Sequence, residues 1–215
     1  MLYSFKIIIF SFMLGASQIH AKNKIFINSM NKCIPTKNII DNYEPLNFNL
    51  SNNLIISSKI QENTKEIPKI LVFGKLLDKN CIPVANANIY AWQVGIDGKY
   101  PYKPLRQFAV DKNLFSNKPT SFLGSATTQT DNNGNFVLIA TYPKKNKYPT
   151  SHGINIRAEH KDLGKIQTRF DPIAFYEEVR SIKYLSFYKS DIDDSNVKAY
   201  NLKIIIDGYN KFLKY

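Results

Sequence analysis

The chain reads as an all-β protein, a β-sandwich preceded by an irregular lead segment, and three observations carry that expectation. Ile70–Leu77, Ala87–Gln93, Phe136–Tyr142, Ile154–Glu159, Lys165–Phe170 and Tyr200–Ile206 are short runs rich in Ile, Val, Phe and Tyr. Between them stand Asp78-Lys79-Asn80, Asp131-Asn132-Asn133-Gly134 and Lys161-Asp162-Leu163-Gly164, which are turn chemistry because Asn and Gly tolerate positive φ. The texture also changes at Ile67, from Asn, Ser and Lys with scattered apolar pieces to these runs. Many short strands with regular turns pack as two sheets.

In chain order, residues 1–21 have the pattern of a secretory signal peptide. Lys6 is the only charge before Lys22, and Ile7–Ala16 is an apolar run of h-region length, too short to span a bilayer. Ile19-His20-Ala21 offers cleavage after Ala21, with an uncleaved anchor as the alternative. No cysteine follows closely enough for a lipid anchor. Residues 22–66 form the lead segment, expected to wrap the sandwich of residues 67–215. The sandwich opens with a strand, a turn at Asp78–Cys81 and a second strand through Ala87–Gln93. In Phe122–Phe136 the Asp131–Gly134 turn is expected to close a second hairpin. Lys161–Gly164 suits a hairpin between Ile154–Glu159 and Lys165–Phe170. For Phe175–Phe187 periodicity does not decide between a short helix and an irregular excursion.

The formal net charge of +12 comes almost wholly from lysine, since Arg106, Arg157, Arg169 and Arg180 are the only arginines. The densest cluster, Lys144, Lys145 and Lys147, lies in an expected loop. Nucleic-acid binding calls for a basic face with interleaved aromatics. A solvated basic surface explains the charge better, so no nucleic-acid partner is expected. Cys33 and Cys81 are the only cysteines. In an exported chain an even pair reads as a disulfide, with two buried thiols as the alternative.

The stretch Gly74–Tyr100, with Asp78…Pro83-Val84 followed by Ala87…Trp92-Gln93, resembles the core of the intradiol ring-cleavage dioxygenases. So do Thr130-Asp131 with Gly134 and Phe136, and Thr141-Tyr142-Pro143. Cys33-Ile34-Pro35-Thr36 with Asn53-Leu54-Ile55 is similar to the lead of exported members. Lys165–Phe170 looks like the strand after the metal ligands, and Tyr200–Ile206 like the closing strand. The likeness covers most of residues 33–206. It implies a sandwich of intradiol-dioxygenase type and catechol cleavage at a ferric ion held by two tyrosines and two histidines.

Transferred residue by residue, the resemblance puts Tyr100 at the first ligand position and Tyr142 at the second, with Tyr148 as the fallback. The alternative is that both are ordinary aromatics. The Arg-Pro-x-His-Ile-His strand of the family reads Thr150-Ser151-His152-Gly153-Ile154-Asn155 here. Gly153 and Asn155 therefore stand at the two histidine positions, and Thr150 at the arginine. A shift of one residue places His152 at the first ligand position but Ile154 at the second. His160 lies eight residues from His152, a span of about 26 Å along a strand. The expectation is a common cavity for Tyr100 and Tyr142, with Gly153 and Asn155 on its opposite wall and no competent ferric centre. Restoring both histidines would raise iron affinity if that geometry persists.

Other chemistry is thin. Ser151-His152 with Asp171 lacks a nucleophile-elbow pattern, Glu177-Glu178 reads as a solvated pair, and Trp92 as core. Three functions stay open: an exported relative without the iron site, acting as a binding or structural module; an active ferric dioxygenase; and an unrelated transthyretin-like or carbohydrate-binding sandwich. No cofactor is expected, Fe(III) only if activity is retained. A small molecule or protein is the expected partner, with no stable membrane insertion after signal cleavage.

Overall fold

A computed structural model of the chain describes residues 33–55, 69–116, 122–142, 153–172 and 197–208. The signal segment, Tyr148, Thr150-Ser151-His152, the Lys144–Lys147 cluster and Phe175–Phe187 lie outside them. The described residues form seven strands: β1 Lys69–Leu77, β2 Asn88–Trp92, β3 Ser125–Gln129, β4 Asn135–Thr141, β5 Ile154–His160, β6 Gly164–Phe170 and β7 Lys198–Ile205. One 3₁₀ turn, Lys112–Leu114, interrupts the loop between β2 and β3. No α-helix occurs among the described residues.

The strands make two sheets, ordered β4-β1-β7 and β3-β2-β5-β6, so the fold is an all-β sandwich. All pairings are antiparallel except β1 with β7. Only β5 and β6 form the expected hairpin, turning through Lys161–Leu163 with Gly164 at φ +82°. The hairpins expected at Asp78 and Asp131 are corrected. Each of these turns carries the chain from one sheet to the other, because β1 and β4 pair in the first sheet while β2 and β3 pair in the second. Period-two alternation tells which residues share a face, and both arrangements satisfy it.

Both arches use one device. Asp78 Oδ1 accepts from the backbone N–H groups of Asn80 (2.8 Å) and Ile82 (2.9 Å). Asp131 Oδ1 accepts from those of Asn133 (2.8 Å) and Asn135 (2.7 Å). Thr130 links the arches, its hydroxyl donating to Val84 O (2.7 Å) and accepting from Ala87 N (2.9 Å).

The core between the sheets collects Ile70, Val72 and Leu76 of β1, Phe136, Leu138 and Ala140 of β4, Ile89 and Ala91 of β2, and Ile154, Ile156 and Ala158 of β5. Gly74 is required here, since a Cβ at that position would lie 1.9 Å from Phe136 Cζ. The aromatic ring covers the bare backbone opposite it.

Candidate functional site

Because the odd residues of β5 alternate with Ile154, Ile156 and Ala158, Asn155 and Arg157 point away from the core. Register aligns Trp92 of β2 with Asn155, and Asn155 with Arg169 of β6. A row of Trp92, Asn155 and Arg169 thus crosses three strands on the outer face of the four-stranded sheet. Two irregular segments cover it, residues 41–48 of the lead and the loop that follows β2. In that loop Gly98, at φ +76°, closes a tight turn with its N–H on Gly95 O (2.9 Å). Tyr100 is then fixed by its backbone, donating to Leu114 O (2.7 Å) and accepting from Ser116 N (2.8 Å).

A half-buried guanidinium organises this face. Arg169 Nε donates to Asn155 Oδ1 (3.0 Å), and Nη2 donates to Asp41 Oδ2 (3.0 Å). The Asp41 side chain is fully buried. Its Oδ1 also accepts from Trp92 Nε1 (3.2 Å) and from the Tyr43 backbone N–H (2.8 Å). The Tyr43 ring stacks on Tyr100 at 5.3 Å between centroids, and Phe115 packs against both rings, 5.5 Å from Tyr100 and 6.0 Å from Tyr43. Tyr102 donates its hydroxyl to Tyr43 O (3.0 Å).

Burial first, then the charge of Asp41, pushes the Tyr100 phenol well above its ordinary range, while Arg169 and the Asn155 side chain pull the other way. Burial and the neighbouring Tyr100, Asp41 and Glu44 raise Tyr102 as well. Beside this group, Arg157 lies over the rings of Tyr90 (4.5 Å) and Phe48 (5.6 Å) and pairs with Glu44 and Glu159.

Of the residues singled out in the sequence, Tyr100 and Asn155 meet here. Tyr142 lies elsewhere: it packs on the core between the sheets, its hydroxyl bonded to that of Tyr200. The two tyrosines therefore do not share the expected cavity, because Tyr142 continues the inward-facing series Phe136, Leu138, Ala140 while Tyr100 lies over the outer face. Tyr148 and His152 are outside the described residues. His160 ends β5 at the far side from Gly153, and its Nδ1 accepts from Asp162 N (3.3 Å).

Gly153 sits at φ +127°, where a Cβ would come within 2.7 Å of Phe170 O and 2.8 Å of Arg169 Cγ. A histidine here would meet that backbone strain and those contacts, so the condition attached to the expected gain in iron affinity is not met at this position. Asp41 and Arg169 were not anticipated. Arg169 is a rare arginine within an otherwise ordinary strand, and nothing local marks Asp41, 128 residues away, as its partner.

These residues do not fit a ferric ion. Gly153 supplies no donor, and Asn155 Oδ1 is taken by the Arg169 guanidinium, which also stands beside Tyr100. Among the described residues no three His, Cys, Asp or Glu side chains gather to hold a metal.

No protein-family model matches the chain. Two proteins that each carry the name "Putative dioxygenase" are similar to it. The one from Rickettsia felis is 42% identical over 167 residues, 76% of this chain and 78% of its own. The one from Rickettsia bellii is 41% identical over 155 residues, 71% of this chain and 73% of its own. Among solved structures, the dioxygenase domain of a dioxygenase–carbohydrate-binding fusion from Streptomyces sp. SirexAA-E matches with a TM-score of 0.54 and 14% identity, over 82% of this chain and 100% of that one. Hydroxyquinol 1,2-dioxygenase from Pseudomonas putida DLL-E4 matches with a TM-score of 0.51 and 15% identity, over 84% of this chain and 68% of that one. At such identities the structural likeness concerns the fold.

Proposed function

This chain belongs to the dioxygenase family of these Rickettsia proteins, with the fold of the intradiol ring-cleavage dioxygenases, and we propose that it is an exported member without the family's ferric site, acting as a binding or structural module. The observation that carries the reading is the Arg169 guanidinium, held between Asn155 and Asp41 where the resemblance calls for imidazole. With Asn155 Oδ1 accepting from that guanidinium and Gly153 carrying no side chain, neither histidine position offers a metal a free donor.

Export rests on Lys6 followed by the apolar run Ile7–Ala16, and the Cys33–Cys81 disulfide suits an oxidising compartment. Mass spectrometry of the chain recovered from outside the cytoplasm should find Lys22 as the first residue; a mass retaining residues 1–21 counts against cleavage.

The competing reading, an active ring-cleaving enzyme, draws on the names its relatives carry. Purification with ferric iron in excess separates the two. A module should stay colourless after desalting, without the visible absorption of tyrosinate on ferric iron, and should leave catechol and protocatechuate unopened. Stoichiometric iron with ring-cleavage activity would refute the proposal.

A further inference from the structure

We propose that the centre formed by Trp92, Tyr100, Asn155 and Arg169 is a carboxylate site, and that the chain fills it in cis with the side chain of Asp41. The centre is donor-rich. Trp92 Nε1 and Arg169 Nη2 already converge on the Asp41 carboxylate, at 3.2 Å and 3.0 Å. Asn155 is 1% exposed, and its Nδ2 is buried with no formed hydrogen bond among the described residues; it faces the Tyr100 hydroxyl, which in its neutral form is a further donor. Apart from Asn155 Oδ1, which is committed to Arg169, every side-chain polar atom of these four residues suits an anion.

A planar carboxylate satisfies such a set better than chloride does, because its two oxygens can serve the guanidinium and the indole separately. That is the division seen at Asp41, Oδ2 on Arg169 and Oδ1 on Trp92. The ligand class is a small monocarboxylate, for which Asp41 is the tethered equivalent. The inference rests on the reading of this centre as metal-free, but the two fail separately: ring cleavage would defeat that reading, whereas the following measurement concerns anions alone.

Asp41→Ala leaves the donors around a hole the size of formate. Its thermal midpoint should fall by about 10 °C, and sodium formate should restore at least half of the loss with a saturable dose dependence. Sodium chloride at matched ionic strength should not. Trp92 is the only tryptophan, so its fluorescence should report the same saturation. The unsubstituted protein should not respond, and adding Arg169→Met to Asp41→Ala should abolish the recovery. Equal effects of formate and chloride would overturn the proposal, as would a formate response in the unsubstituted protein or an Asp41→Ala variant as stable as the parent. Should Asp41→Ala not accumulate folded, its refolding from urea reads the same competition. Formate-dependent recovery supports the proposal, and recovery independent of formate refutes it.

Discussion

A side chain at position 153 would have to leave a backbone at φ +127° with its Cβ 2.7 Å from the Phe170 carbonyl oxygen. Neither constraint yields cheaply, since one is backbone strain and the other a backbone atom. Gly153→Ala should therefore destabilise the protein by roughly 1–3 kcal/mol in urea titrations. The double variant Gly153→His with Asn155→His should lose stability without gaining iron in an equilibrium-dialysis assay; a stable, iron-loaded double variant would contradict the geometry. Tyr100 and Tyr102 allow a test in pH. Both phenols titrate higher in the folded protein than the ordinary value of about 10, so their contribution to stability is fully present below that value. It declines above it, as the unfolded chain ionises first. Alkaline titration at 295 nm should show these two phenols ionising late and together with unfolding, whereas early, reversible ionisation of every tyrosine would contradict their burial. At this scale the sequence revealed the departures at 153 and 155, because those depend on local order. It could not reveal Asp41 with Arg169, a partnership made by topology.

At the scale of elements, apolar runs located six of the seven strands, and β3, Ser125–Gln129, which has no such run, was marked only by the turn after it. Whether Asp78 and Asp131 close hairpins or arches depends on which strands find each other, and alternation is silent on that. The arches themselves separate a buried from an exposed use of one motif. Asp78 is 0% exposed, so Asp78→Ala strips acceptors from two N–H groups that water replaces poorly, at a cost of about 1–3 kcal/mol. Asp131 is exposed, and solvent can take over the N–H groups of Asn133 and Asn135. Its replacement by alanine should cost less than about 1 kcal/mol. Urea midpoints for the two variants measure the difference, and equal losses would mean that the arches are not distinguished by burial.

Over the whole molecule, the lead segment explains why the sandwich presents no free edge along these contacts. Unpaired strand edges invite association with other chains, and here the lead bonds to all four edge strands. Thr36 N donates to Ile205 O of β7 (3.0 Å) and Ile39 N to Gln167 O of β6 (2.8 Å). Ser51 O accepts from Thr127 of β3 (2.9 Å), and Leu54 N donates to Ile139 O of β4 (2.8 Å). The sequence marked this segment as irregular and wrapping the sandwich but not which edges it bonds, since isolated backbone bonds to four strands leave no periodicity to read. Its first described residue is held by the Cys33–Cys81 disulfide, with Cα atoms 5.3 Å apart and 48 residues of separation. A loop of that length contributes about 4 kcal/mol in the chain-entropy account. Reduction should lower the urea midpoint accordingly and free the first part of the lead, baring the β7 and β6 edges before the β3 and β4 edges. Limited proteolysis of the reduced protein should then cut first between Ile34 and Ile40, and light scattering should rise at temperatures where the oxidised protein stays monodisperse. If Cys33→Ser with Cys81→Ser melts and scatters like the parent, the lead is held by its remaining contacts and the disulfide does not guard the edges.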